Sequence, residues 1–274
     1  LVVDEAAQAI EAEILLGCAA SGARRCVLVG DPRQLPATVL SEEAVRMGLE
    51  GSIMARLMDG CGVEASVLEI QHRMHPQISR LPCRIFYGGR VRDAEFVKGR
   101  SVPWGGDGKD GGVGRCFLFH KKRLWVVDVG CGEERRAPSG SVCNEREATL
   151  VRWLVERLKR EKGMAGASIA VITPYAAQAA LIGHGARTVD GWQGGEADVV
   201  VVSLTRASGG KGAGFAADER RLNVALTRAR HGMVVMCHAR TMRRAGGALK
   251  EVVEDARRRG LLVSEEELRR SFFF

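Results

Sequence analysis

Short unbroken apolar runs punctuate this chain. They fall at residues 1–3, 26–29, 125–129, 169–172, 199–204 and 233–237. Most lack the alternation of a half-exposed strand, as expected where helices cover both faces of a parallel sheet. Helical spacing fills the intervals. The clearest helix is predicted from Asn144, whose amide side chain suits a helix start, with Glu147 placed to reach back as in a capping box. Val151, Leu154, Val155 and Leu158 then form one stripe. Further helices are predicted after Pro174, over about 218–230, and over much of 245–259, with Leu249, Val252, Val253 and Ala256 turned inward. This alternation predicts a doubly wound α/β architecture. Glycine-rich stretches at 105–114 and 208–214 read as loops, and the closing Ser271-Phe272-Phe273-Phe274 has no evident role.

A length of 274 residues allows one large core or two smaller ones. The formal net charge of +8 suits a polyanionic partner, although an arginine-rich composition alone would give the same sign. None of the eight cysteines forms a C-x-x-C pair, so neither a zinc site nor a disulfide framework is expected. Scattered cysteines fit a reducing compartment. There is no signal peptide and no apolar run long enough to span a membrane. An intracellular place, cytoplasmic or nuclear, with no membrane partner, is the expectation. The chain opens inside a strand without Met, so it reads as a piece of a longer protein.

Several segments carry candidate chemistry. The first strand ends in Asp4-Glu5, and ATP-hydrolysing folds place a carboxylate there for Mg²⁺ and a base for water. The second ends in Gly30-Asp31-Pro32-Arg33-Gln34, where Gln34 could sense a γ-phosphate; an ordinary Asp-Pro turn would look alike. In Gln71-His72-Arg73-Met74-His75-Pro76, Arg73 could grip a phosphate bidentately, or simply be solvated. His72 and His75 have a spacing that would share a helix face, and stacking fits them better than metal binding. The glycines of 188–196 would let backbone N–H groups approach an anion. The run 222–230 reads as a helix presenting Arg228, a candidate arginine finger or a plain helix-end cation.

Taken singly, each segment fits an ordinary turn or helix end; their order does not. Asp-Glu-Ala-Ala-Gln (4–8), Gly-Asp-Pro-Arg-Gln-Leu (30–35), Gln-His-Arg-Met-His-Pro (71–76), Ile-Thr-Pro-Tyr (172–175), Val-Asp-Gly-Trp-Gln-Gly-Gly-Glu (189–196) and Leu-Asn-Val-Ala-Leu-Thr-Arg-Ala-Arg (222–230) resemble the successive motifs of superfamily 1 helicases. The resemblance is greatest to the group that includes the nonsense-mediated-decay RNA helicase and senataxin, and runs to about Leu262.

That resemblance implies two RecA-like domains with ATP bound in the cleft between them. Residues 1–66 would end the first domain, 67–265 would supply most of the second, and 266–274 would form a tail. By resemblance, Asp4 handles Mg²⁺ through water, Glu5 activates the attacking water, and Gln34 senses the γ-phosphate. Arg73 and Arg228 reach that phosphate, Gly194 and Glu196 lie on the phosphate and ribose side, and His72 stacks on adenine. Pro174, Tyr175, Thr188 and Asp190 would face single-stranded RNA or DNA.

Three departures stand out. No G-x-x-x-x-G-K-[ST] occurs, so the phosphate loop is expected upstream in the same protein. His72 stands where an aromatic, commonly Tyr, is usual. The stretch 178–188 is short, where family members fit the rest of a helix and another strand, so damage to the sheet is expected there. The leading expectation is the C-terminal half of an ATP-dependent helicase. A catalytically inactive nucleic-acid-binding module is the alternative, and a nucleotide kinase fits the motif order poorly.

Overall fold

A computed structural model describes residues 1–100, 118–119, 121–207 and 214–272, with backbone alone at 215. The glycine-rich segment 105–114 and most of 208–214 lie outside the described residues. The chain divides into two compact units, Leu1–Leu68 and Glu69–Phe274.

The first unit holds a two-stranded parallel sheet, β1 (Val2–Val3) beside β2 (Val27–Leu28). It also holds three α-helices, α1 (Glu11–Ser21), α2 (Glu42–Arg46) and the short α3 (Ile53–Ala55), with a 3-10 turn at Ala6–Gln8 and a π-helical turn at Arg56–Gly60. The two N-caps at Ser41 and Ser52 are sequence-local, each hydroxyl accepting from the backbone N–H three residues on.

In the second unit, β3 (Ile70–Gln71) leads to α4 (Pro76–Tyr87), then β4 (Arg92–Asp93) and α5 (Glu95–Lys98). Strand β5 (Leu124–Asp128) precedes an antiparallel hairpin, β6 (Glu134–Arg136) and β7 (Val142–Asn144). The chain continues through α6 (Glu145–Arg160), β8 (Ile169–Thr173), α7 (Ala176–Ile182), β9 (Arg187–Thr188) and β10 (Ala197–Ser203). It closes with α8 (Glu219–Leu226), β11 (Ala229–Cys237), α9 (Ala239–Ala245), α10 (Gly247–Arg258), β12 (Leu262–Ser264) and α11 (Glu265–Arg270).

Six strands form one parallel sheet in the order β12-β5-β11-β10-β8-β9. Both faces are covered, which explains the unbroken apolar runs. Val199, Val201, Val234 and Met236 join the α6 stripe of Val151, Leu154, Val155 and Leu158 in one core. Their strand neighbours Val200, Val202 and Val235 are equally buried, and α4 and α10 pack on the sheet strands β11 and β5. This is the expected doubly wound α/β, RecA-like architecture. No helix among the described residues is long and apolar enough to cross a membrane.

Four local expectations change. Asn144 does cap α6, its Oδ1 accepting from Glu147 N at 3.1 Å, but the Glu147 side chain does not reach back; it turns into the protein, fully buried. Helix α8 stops at Leu226, so Arg228 lies in the turn into β11 rather than on a helix. His72 and His75 share no helix: His75 caps α4, its Nδ1 accepting from Gln77 N at 3.2 Å. Residues 266–274 are not a free tail through 272, because Phe272 is buried edge-on against Trp153 with centroids 5.5 Å apart.

The short 178–188 stretch still supplies a helix and a strand. Helix α7 has seven residues, and β9 pairs with β8 at two positions, Arg187 with Ile172 and Thr188 with Thr173. The expected damage is therefore limited: the sheet keeps β9 as its edge strand, two residues long.

Candidate nucleotide and nucleic-acid site

In the first unit, parallel pairing of β1 and β2 brings the two acids beside the Gly30-Asp31 turn. Ala6 N donates to Val29 O at 2.8 Å across the strand ends. A Cβ at Gly30 would sit 3.0 Å from the backbone nitrogens of Ala6 and Ala7, so any larger residue would push this backbone apart. Glu5 occupies the left-handed region, with φ 51° and ψ 37°, an uncommon conformation for a non-glycine residue and one that clusters at functional sites. Asp4 and Glu5 are both exposed. Gln8 Nε2 donates to Glu5 Oε2 at 2.8 Å, and Gln34 Nε2 donates to Asp31 Oδ2 at 3.0 Å.

In the second unit, Gln71 shapes the turn carrying Arg73. Its Oε1 accepts from Arg73 N and Met74 N at 2.9 and 2.8 Å, and its Nε2 donates to Asp93 Oδ1 at 2.6 Å. Arg73 Nε donates to Glu196 Oε2 at 2.6 Å, and Arg73 Nη1 to Thr227 O at 3.1 Å. Arg228 is only 4% exposed. Its Nε donates to Val224 O at 2.9 Å and its Nη2 to Thr227 Oγ1 at 3.0 Å. The two candidate fingers, 155 positions apart in sequence, thus meet on the two sides of Thr227.

Glu196 carries a second cation, Arg230, whose Nε donates to Oε1 at 3.0 Å, with a further short contact from Nη2. Hydrogen bonds from Arg230 and then Arg73 hold the Glu196 carboxyl down at about 2. Gly194 has φ 72°, supplying the positive-φ turn that aims Glu196 at this cluster. His75 N donates to Arg230 O at 2.8 Å, tying the Arg73 turn to β11. Burial first, and then the Arg123 and His231 charges, push His75 down to about 4, so its ring stays neutral and can accept.

His72 is exposed and stacks on Phe96 at 5.6 Å with planes 29° apart, while Arg100 lies over the other ring at 5.1 Å. Phe96 and Arg230 are site-side residues that the motif reading missed. Phe96 is a lone aromatic in a short mixed stretch, and Arg230 closes a motif in which Arg228 draws attention.

The four residues assigned to nucleic acid by resemblance are not equally presented. Pro174 and Tyr175 are buried. The Tyr175 hydroxyl accepts from Arg206 Nη1 at 3.4 Å and Ala216 N at 3.2 Å, and Arg206 is paired with Glu134 of the hairpin at 2.9 Å. Thr188 is half-buried and its Oγ1 accepts from Gly191 N at 3.2 Å; Asp190 is exposed and paired with Arg221 at 3.2 Å.

Beneath this face lies a buried polar network. Glu147 Oε1 accepts from Ser203 Oγ at 2.6 Å and Thr205 N at 2.8 Å. Gln178 Nε2 donates to Ser203 Oγ at 3.0 Å, and Asn144 N donates to Gln178 Oε1 at 2.8 Å. Glu147 Oε2 has no hydrogen-bond partner among the described residues. Burial raises this carboxyl to about 7, against the two hydrogen bonds to the other oxygen. The network fixes 203–206 and hence Arg206.

A family profile described as an AAA domain matches residues 49–240, and a second of the same description matches residues 1–42. Helicase sen1 of Schizosaccharomyces pombe is 34% identical over 282 residues, covering 96% of this chain and 16% of that protein. DNA-binding protein SMUBP-2 of Mesocricetus auratus is 34% identical over 257 residues, covering 88% of this chain and 25% of its own length. Regulator of nonsense transcripts 1 homolog of Arabidopsis thaliana is 33% identical, with 86% and 19% covered. The chain therefore spans a quarter or less of these relatives. With its ordered motifs, its RecA-like sheet and these matches, the chain belongs to the superfamily 1 helicases of the nonsense-mediated-decay helicase and senataxin group.

Proposed function

We propose that this chain supplies the second half of an ATP-driven motor that steps along single-stranded nucleic acid. The observation that carries the reading is the convergence of Arg73 and Arg228 on Thr227, beside Glu196. Two guanidinium groups gathered at one residue favour an anion beside them, and besides Glu196 a terminal phosphate is the anion the family handles. Arg73 is one-third exposed and can exchange Glu196 for that phosphate; Arg228, held by Val224 and Thr227, is preorganised and needs little rearrangement.

Asp4 and Glu5 supply the complementary chemistry. Asp4 is an exposed hard oxygen donor at a strand end, which fits a magnesium ion held through water, since that ion keeps most of its waters and needs few carboxylates. Such an ion would neutralise phosphate charge. Glu5, steadied by Gln8, orients and deprotonates the attacking water, and Gln34 registers loss of the γ-phosphate. His72 with Phe96 offers a stacking platform for adenine. Thr188 and Asp190 contact the strand directly, while Pro174 and Tyr175 act from beneath through the backbone and Arg206.

The test is ATP hydrolysis by the full-length protein, with single-stranded RNA and single-stranded DNA as stimulants in parallel. Stimulation by either supports the motor and names its track. Nucleic-acid binding with no hydrolysis would replace the motor by an inactive binding module.

A further inference from the structure

We propose that Arg230 is a positioning residue that regulates the release of Arg73: it shares Glu196 with Arg73, so that the carboxylate acts as a resident stand-in for the phosphate. The proposal rests on the reading that Arg73 serves ATP.

One carboxylate faces two guanidinium groups from opposite oxygens. Oε2 takes Arg73 and Oε1 takes Arg230. Arg230 is itself braced, its Nη1 lying 3.7 Å from Asp198 Oδ1, and Asp198 is held by Ser168 N and Oγ at 2.9 and 2.7 Å. Among the described residues Arg73 has no such brace: beyond Glu196 its side chain donates to Thr227 O. The pair is therefore asymmetric. Arg230 is the fixed partner of Glu196 and Arg73 the exchangeable one.

The electrostatic consequence has a definite sign. With Arg230 in place, Glu196 is already neutralised, so its hold on Arg73 is weakened by the neighbouring positive charge. Arg73 can then leave for a phosphate without stranding a bare carboxylate. Without Arg230, all of the Glu196 charge falls on Arg73, and leaving exposes an unpaired anion next to the incoming phosphates. Arg230 thus lowers the cost of arming the site while making no contact with nucleotide itself. These groups are about one-third exposed, so the effect is that of a partly screened pair.

The experiment is a double-mutant cycle in the full-length protein, reading affinity for a fluorescent ATP analogue. Arg230→Ala is expected to weaken binding about three- to fivefold, the range of a partly exposed ion pair. In a Glu196→Gln background the same substitution should change affinity by less than about 1.5-fold, because the charge it balances is gone. Arg230→Lys should restore most of the loss. An equal loss in both backgrounds would overturn the proposal and make Arg230 a direct nucleotide contact or a plain structural residue. If the wild-type protein binds no ATP, the functional reading fails, and the carboxyl of Glu196 decides the rest by ¹³C NMR titration. A depressed pKa that climbs in Arg230→Ala keeps the shared-carboxylate arrangement; a pKa indifferent to Arg230 rejects it.

Discussion

The two units treat apolar surface and candidate chemistry in opposite ways. In the first, Val2 is 70% and Val27 54% exposed although both are strand residues, and Leu16 on α1 is 69% exposed. In the second, Val199, Val200, Val201 and Val202 are all at 0%. The acids Asp4 and Glu5 stand exposed with few partners, whereas Arg73, Arg228 and Arg230 are all bonded. A six-stranded sheet covered on both faces can hold arginines in set directions.

The sharpest way to break this contrast is to remove one group from each side. In the full-length protein, Glu5→Gln is expected to lower turnover by roughly 10³ or more while ATP still binds. Arg228→Ala is expected to lower kcat by a similar factor. Unchanged hydrolysis in the first variant would strip Glu5 of the base role, and a change confined to KM in the second would leave Arg228 a binding residue. Because Arg228 also bonds Val224 and Thr227, a thermal melt of that variant separates lost chemistry from lost folding.

Packing gives the next effect in size. Leu154→Ala, in the closed core, should cost about 3 kcal/mol in urea unfolding. In the isolated 274-residue chain, Val27→Ala should cost less than about 0.5 kcal/mol, since there that side chain is mostly in water. Similar losses at the two positions would erase the difference between the units.

Glu147 sets a pH dependence belonging to the second unit alone. Its folded pKa of about 7 lies above the ordinary 4.5, so its contribution to stability is complete below about pH 4.5 and is lost as pH rises to about 7. At about 1.4 kcal/mol per pH unit the loss is about 3 kcal/mol at most. Stability measured against pH should fall over that window, and Glu147→Gln should flatten it. The smallest effect is at the stack: His72→Ala should raise KM for ATP about two- to tenfold with kcat nearly constant.

Strands β5, β8, β10 and β11 were legible because a parallel sheet buried on both faces leaves continuous apolar runs, whereas the short edge strands β9 and β12 leave none. Helices α6 and α10 were legible because their stripes keep helical spacing. Helix α4 hid behind Pro82, which sits inside it. The end of α8 was misread because Thr227-Arg228 continues an amphipathic pattern, and burial of β11 from Ala229 overrides that local preference. Glu147 was misread for a similar reason: Asn-x-x-Glu is a local signal, while Ser203 lies 56 positions away. For the candidate site, the motifs nominated residues but gave no sign of their partners. The sharing of Glu196 between Arg73 and Arg230 joins segments more than 120 residues apart, and no spacing rule encodes it.

The compressed connection at the sheet edge has a mechanical consequence. Only 183–186 join α7 to β9, and three of those four residues, Gly183, His184 and Gly185, are locked at positive φ. Such a joint has little slack, so if nucleic acid grips Thr188, as proposed, a pull on β9 would pass to α7. Gln178 rides on that helix and holds both Asn144 and Ser203. On that reading, the pull would reach the buried Glu147 carboxyl through Ser203, and the short connection would act as a stiff lever.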